Sequence, residues 1–204
     1  MAPPIDRRDP GGRTASRGRC FLYVLPCACE DQLKLGFSRS PLDRLQSLHR
    51  RYFEVFDLDR AFLVETETVR DARALELSLR RQLVLHNAPA PLTVRRQAGG
   101  HTEWYRGAYA QLAAVAVTLT QGGHVVHDPL RPWLRQALVA RSELLYSWSQ
   151  AVLSLEEMES PADGITTHSQ RVVCDVLDAY VAFGVDLEPV LPDAVLRWHR
   201  AVAG

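Results

Sequence analysis

Apolar and polar positions change period several times along these 204 residues, and each change predicts an element. Two apolar runs, at 21–25 and 33–37, flank a turn-like stretch at 26–31, which predicts a β-hairpin. Ser40 then stands as an N-cap before Pro41, with Asp43 in the first turn, so a helix is expected to run to about Tyr52. Its apolar arc is Leu42, Leu45, Leu48 and Tyr52. A third strand is expected over 56–65. Thr68 caps a longer helix reaching about His86, with Val69, Ala72, Leu75, Leu79 and Leu83 on one arc. Residues 87–100 carry Pro and Gly and read as a loop, followed by a short segment at 101–106 and an apolar helix near 108–120. Gly122 and Gly123 then mark a boundary. Three further helical patterns follow, near 130–155, 167–183 and 190–202.

This pattern predicts three parts. Residues 1–19 hold five arginines with Pro and Gly and no apolar period, and read as a disordered basic arm. Residues 20–122 hold the hairpin, the third strand and the helices that follow them, an α+β domain. Residues 123–204 form a helical region whose tryptophans, Trp133, Trp148 and Trp198, are candidate anchors for a protein partner.

Charge adds an asymmetry that the net value of zero conceals. Residues 1–110 hold 18 Arg and Lys against 13 Asp and Glu, and residues 111–204 hold 6 against 11, so the halves carry +5 and −5. A basic half suits a polyanion, and an acidic half suits a solvated or protein-binding face. The chain lacks both an apolar run of membrane-spanning length and a signal-peptide core, so the expected location is cytoplasmic. Cysteines at 20, 27, 29 and 174 have neither paired spacing nor adjacent histidines, and reduced, mostly buried thiols are expected.

Lys34 is the sole lysine among 24 basic residues. If the hairpin loop spans 26–31, Leu25 faces Gln32 and Tyr23 faces Lys34, with Gly36 leaving open space beside them. Glu76 falls inside the apolar arc of the second helix, where an unpaired carboxylate is costly and calls for a cation, a hydrogen bond or a metal ion. Arg44 lies at the edge of the first helix's arc, from where it can reach a pocket. His49 lies inside that arc, while Arg39, Arg50 and Arg51 read as surface cations available to phosphates.

Taken in order, Phe21-Leu22-Tyr23, Lys34-Leu35-Gly36, Arg44 in Ser-Pro-Leu-Asp-Arg-Leu, Glu76 in Ala-Leu-Glu-Leu and Glu103-Trp104-Tyr105 resemble the motifs of the GIY-YIG endonuclease superfamily, in its phage-type branch. The resemblance covers about residues 20–120 and implies a compact α/β fold, a three-stranded antiparallel sheet flanked by helices. It implies hydrolysis of phosphodiester bonds in DNA with one magnesium or manganese ion on Glu76. Tyr23 would be the base or positioner of the attacking water, and Arg44 the phosphate clamp. Lys34 would favour the phenolate of Tyr23. Gly36, Ser38, His49, Glu103 and Trp104 would support the site, and Arg39, Arg50 and Arg51 would touch nucleic acid. Two alternatives stay open: a nucleic-acid-binding module with weak or no catalysis, and an adaptor acting through residues 123–204.

Overall fold

The computed structural model describes residues 17–94, 102–154, 158, 165 and 167–202. The fold is mixed α/β. Its sheet contains β1 (Arg17–Pro26), β2 (Gln32–Ser38), β3 (Phe62–Thr68), β4 (Asn87–Ala88), β5 (Trp104–Arg106) and β6 (Val126–His127) in the order β4-β5-β2-β1-β3-β6, with every pairing antiparallel. The expected three strands are its centre. The outer ones have two or three residues each, too few to show a period of two.

Side-chain alternation along β1 divides the core. Leu22 and Val24 point to one face, joining Leu33, Leu35, Phe62 and Val64 under the helices α3 (Val69–Gln82) and α4 (Tyr109–Gln121). Phe21, Tyr23 and Leu25 point to the other, toward α1 (Pro41–Leu48) and α2 (Tyr52–Val55). The same face carries α5 (Arg131–Val139), α6 (Leu145–Val152), α7 (His168–Ala182) and α8 (Asp193–Val202). A strand buried on both faces accounts for the unbroken apolar run at 21–25.

The hairpin register differs from expectation. Leu25 pairs with Lys34 and Tyr23 with Gly36, because β1 continues through Pro26 and the chain reverses within 28–31. Cys27 N–H donates to the Gln32 carbonyl at 2.8 Å. By alternation the nitrogen of Pro26 points away from β2, past the last β3 pair at Val24 and Phe62, so proline removes no ladder bond there. The slip is two residues, and an even slip leaves every side chain on its expected face. Lys34 and Tyr23 therefore share a face but are diagonal neighbours.

Other boundaries also move. Thr68 caps α3 as expected, its hydroxyl accepting from the Asp71 N–H at 3.1 Å. Ser40 makes no side-chain cap; the Ser38 hydroxyl accepts the Ser40 N–H instead, at 3.0 Å. The third strand starts at Phe62 rather than 56, because residues 57–61 form a turn in which Ala61 N–H donates to the Asp57 carbonyl. Residues 17–19, expected in the basic arm, belong to β1, and the rest of that arm lies outside the described residues.

Gly122 and Gly123 end α4 without ending the folded unit. Gly123, at φ +90°, lets the chain turn back so that β6 can pair with β3. One hydrophobic cluster runs from Phe21 and Tyr23 through Leu42 and Leu45 to Leu134, Leu177 and Trp198. The C-terminal helices thus complete the core over the Tyr23 face. Trp198 is buried in it and Trp133 packs edge-on against Phe21 at 5.4 Å, so neither is the exposed anchor the adaptor reading expects. No helix among the described residues is long and apolar enough to cross a membrane.

Candidate active site

Tyr23 lies in the middle of β1, 2 % exposed, with its ring across Gly36. A Cβ at Gly36 would stand 2.7 Å from Tyr23 Cζ and closer still to the hydroxyl, so only glycine admits this ring. Arg44 comes in from α1, where Leu42, Leu45 and Leu48 are buried and fix the helix phase. Its Nε donates to the Tyr23 hydroxyl at 3.2 Å. Burial pushes the Tyr23 phenol above its ordinary value; Arg44 pulls the other way, and the charges of Glu76 and Glu103 add to the rise.

The cation bonded to Tyr23 is Arg44, while Lys34, expected beside the phenol, is bonded elsewhere. Lys34, 1 % exposed, donates to the Thr102 carbonyl and to Glu103 Oε2 at 3.1 Å, and lies 5.9 Å from the ring centre of buried Trp104. Burial lowers its pKa, and Glu103 offsets part of that. Glu103 is the hub of this corner. Its Oε1 takes Arg80 at 3.1 Å while Oε2 takes Lys34, and its backbone sits at φ +62°, a conformation unusual for a glutamate. Burial alone would raise the Glu103 carboxyl, but the Thr102 hydroxyl, Lys34 and Arg80 together hold it below the usual range.

Glu76 reaches the same electrostatic neighbourhood from α3. Ala72 and Leu79, one turn to either side, are buried against the sheet and carry Glu76 inward with them. Its residue exposure is only 8 %. Among the described residues its carboxylate accepts no hydrogen bond and joins no ion pair, because Glu103 has taken both Arg80 and Lys34. Burial raises the Glu76 carboxyl above the ordinary 4.5 and the Glu103 charge raises it further, against weaker pulls from Arg80, Lys34 and Arg73. The alternative in which Arg80 simply neutralises Glu76 is not the arrangement found.

Tyr23, Arg44 and Gly36 thus meet directly, as do Lys34, Glu103, Arg80 and Trp104, and the charge of Glu76 acts on Tyr23 and Lys34. Beside them opens a cleft of about 480 Å³, lined by Arg80, Arg81, Thr102, Glu103 and Trp104 among others. The other expected contributors lie elsewhere or act locally. His49 ends α1 and accepts the Arg51 N–H at 3.1 Å, and Ser38 serves the start of α1. Arg50 borders a small cavity with Gln46, Tyr52 and Asp175. Arg51, expected on nucleic acid, is bound to Glu54, Asp175 and Asp178. Arg39 remains exposed at the end of β2. Two groups were missed from sequence as site members, Thr102 and Arg80. Arg80 is legible as the cation four residues after Glu76, but its partner is not.

Tyrosine on arginine, a partnerless buried carboxylate and a hub glutamate, all carried by the β1–β2 hairpin, α1, α3 and the approach to β5, can be set against known families. Residues 21–119 match the T5orf172 domain. The T5orf172 match starts within β1, ends within α4 and includes Tyr23, Lys34, Arg44, Glu76 and Glu103. The C-terminal helices lie beyond it. Comparison with curated proteins and with solved structures returned no match.

Proposed function

We propose that this protein is a metal-dependent endonuclease of GIY-YIG type that hydrolyses phosphodiester bonds in DNA. T5orf172 is a phage-associated, nuclease-type domain, which supports the reaction class and DNA as the substrate. The observation that carries the finer reading is Glu76, a buried carboxylate with no bonded partner among the described residues, in the same charge cluster as a Tyr23–Arg44 pair.

An unpaired carboxylate with raised pKa has oxygen donors suited to a hard divalent ion such as magnesium or manganese, and nearby Glu103 adds negative charge. Such an ion on Glu76 would neutralise the scissile phosphate and the leaving oxygen. Arg44 would hold a phosphate oxygen while keeping Tyr23 oriented. The Tyr23 phenol, raised by burial, keeps its proton at neutral pH, so its hydroxyl acts first as a positioner of water or phosphate. Lys34 and Arg80, held by Glu103, keep positive potential beside Glu76 without satisfying it.

The test is nicking of supercoiled plasmid by the full-length protein with magnesium or manganese. Nicking by wild type and its loss in Glu76→Ala are expected. Equal activity in both would remove Glu76 from the reaction. Plasmid retarded but uncut in either metal would decide instead for binding without cleavage.

A further inference from the structure

A second polar cluster lies away from the Tyr23 site, where the C-terminal helices meet α2. Cys174 and Asp178 lie one turn apart on α7, and His199 faces them from α8. Their ligand-type atoms all fall within 4.8 Å of one another. Cys174 and His199 are 5 % and 4 % exposed.

The existing bonds do not use this donor set fully. His199 Nε2 is 2.9 Å from Asp178 Oδ1, and Arg51 donates to Asp178 Oδ2 at 2.7 Å and to Asp175 Oδ1 at 3.2 Å. The Cys174 sulfur has only a long contact with Asp178, 3.8 Å to either oxygen. Arg51 faces three carboxylates, Glu54, Asp175 and Asp178. One guanidinium thus faces three carboxylate charges.

We propose that Cys174, Asp178 and His199 bind a zinc ion that ties α7 to α8. Tetrahedral zinc with bonds of about 2.0 Å to oxygen and nitrogen and about 2.3 Å to sulfur has ligand edges of about 3.3 Å and 3.5 Å. The His199–Asp178 and Cys174–Asp178 edges, 2.9 Å and 3.8 Å, lie within about 0.4 Å of these, and the Cys174–His199 edge is no longer than 4.8 Å. Sulfur, imidazole and carboxylate together form a set that zinc accepts and magnesium does not. On binding, the Cys174 proton leaves to solvent and the thiolate sulfur becomes a ligand, so the ion adds two charges while the cysteine removes one. Asp178 would bind through Oδ1 and keep Arg51 on Oδ2, an outer partner that holds the carboxylate in orientation. His199 also borders an open cleft of about 630 Å³.

The experiment uses full-length, metal-stripped protein titrated with Zn(II) and, for its spectrum, Co(II). Expected are one equivalent per chain, thiolate-to-cobalt charge-transfer absorption, and a rise in Tm of about 5–10 °C at a hundredfold zinc excess over Kd. Cys174→Ser and His199→Gln should each abolish the absorption and the Tm rise. Because Cys29 is exposed, Cys29→Ser is the control that must leave both intact. Folding of each variant is checked by circular dichroism, and a folded Cys174→Ser that still shows the thiolate band overturns the site. Wild type with neither band nor Tm rise overturns it equally. Glu76→Ala should bind zinc normally, which separates this site from the proposed nuclease.

Discussion

Two charged clusters sit in one small fold and are out of balance in opposite ways. Around Tyr23, three cations, Lys34, Arg44 and Arg80, meet two carboxylates, yet Glu76 is left without a bond because Glu103 holds two of those cations. Around Arg51, every carboxylate is bonded, yet one guanidinium serves three of them. In the first, charge is sufficient and geometry withholds it from one carboxylate. In the second, geometry is satisfied and charge is lacking, which favours an arriving cation. Bonds made and charges summed are separate quantities, and function is read from the gap between them.

The contrast breaks most sharply at Glu76. Glu76→Gln should lower plasmid nicking by about 10²-fold or more, the scale expected when a preorganised charged group is lost from an active site, while leaving the metal-free protein as stable as wild type or more so. The sign follows from the raised carboxyl pKa. A folded value above the unfolded one contributes stability that is complete below the ordinary 4.5 and is lost as pH rises through the folded value. Without metal, the wild type should therefore lose stability relative to Glu76→Gln as pH rises across that window, as read by thermal melts in a pH series. A Glu76→Gln protein clearly less stable at neutral pH would make Glu76 a structural residue and end the contrast.

Gly36→Ala tests whether the first cluster depends on the space left for the Tyr23 ring. The added methyl forces the ring off Arg44, so nicking should fall strongly together with a loss of about 1–3 kcal/mol in denaturant melts. Unchanged stability would show that the ring does not need that space. The smallest effect is expected from Arg51→Ala, which strips the second cluster of its guanidinium. A fully buried charge pair broken in this way costs about 3–5 kcal/mol; with the Arg51 side chain 34 % exposed, about 1–2 kcal/mol remains after solvent screening. Nicking measured well below the melting range should hardly change. A larger loss of activity than Gly36→Ala causes would mean that the two clusters are coupled.

The first cluster was largely legible in the sequence and the second was not. Helical phase alone put Glu76 on the buried arc of α3, and strand alternation put Tyr23 and Lys34 on one face. Both are local periodicities that survive errors in pairing. The hairpin register was misread because Pro26 looked like a turn residue, and only the end of β3 beside it shows why the strand can continue. The partners of Lys34 and Arg51 were hidden for a simpler reason: Glu103 lies 69 residues from Lys34, and Asp178 lies 127 residues from Arg51. No pattern of one chain's spacing announces which distant carboxylate a cation will meet. Arg51 consequently looked like a free surface charge.

The shared core beneath Tyr23 has a consequence for modularity. The T5orf172 match ends at residue 119, but the apolar layer under Tyr23 continues to Trp198, and β6 still has to pair with β3. The matched stretch is therefore not a cassette that could be lifted out and grafted whole onto another protein. A chimera joined at Gly122 would carry Tyr23, Arg44 and Glu76 and lack the apolar floor beneath Tyr23.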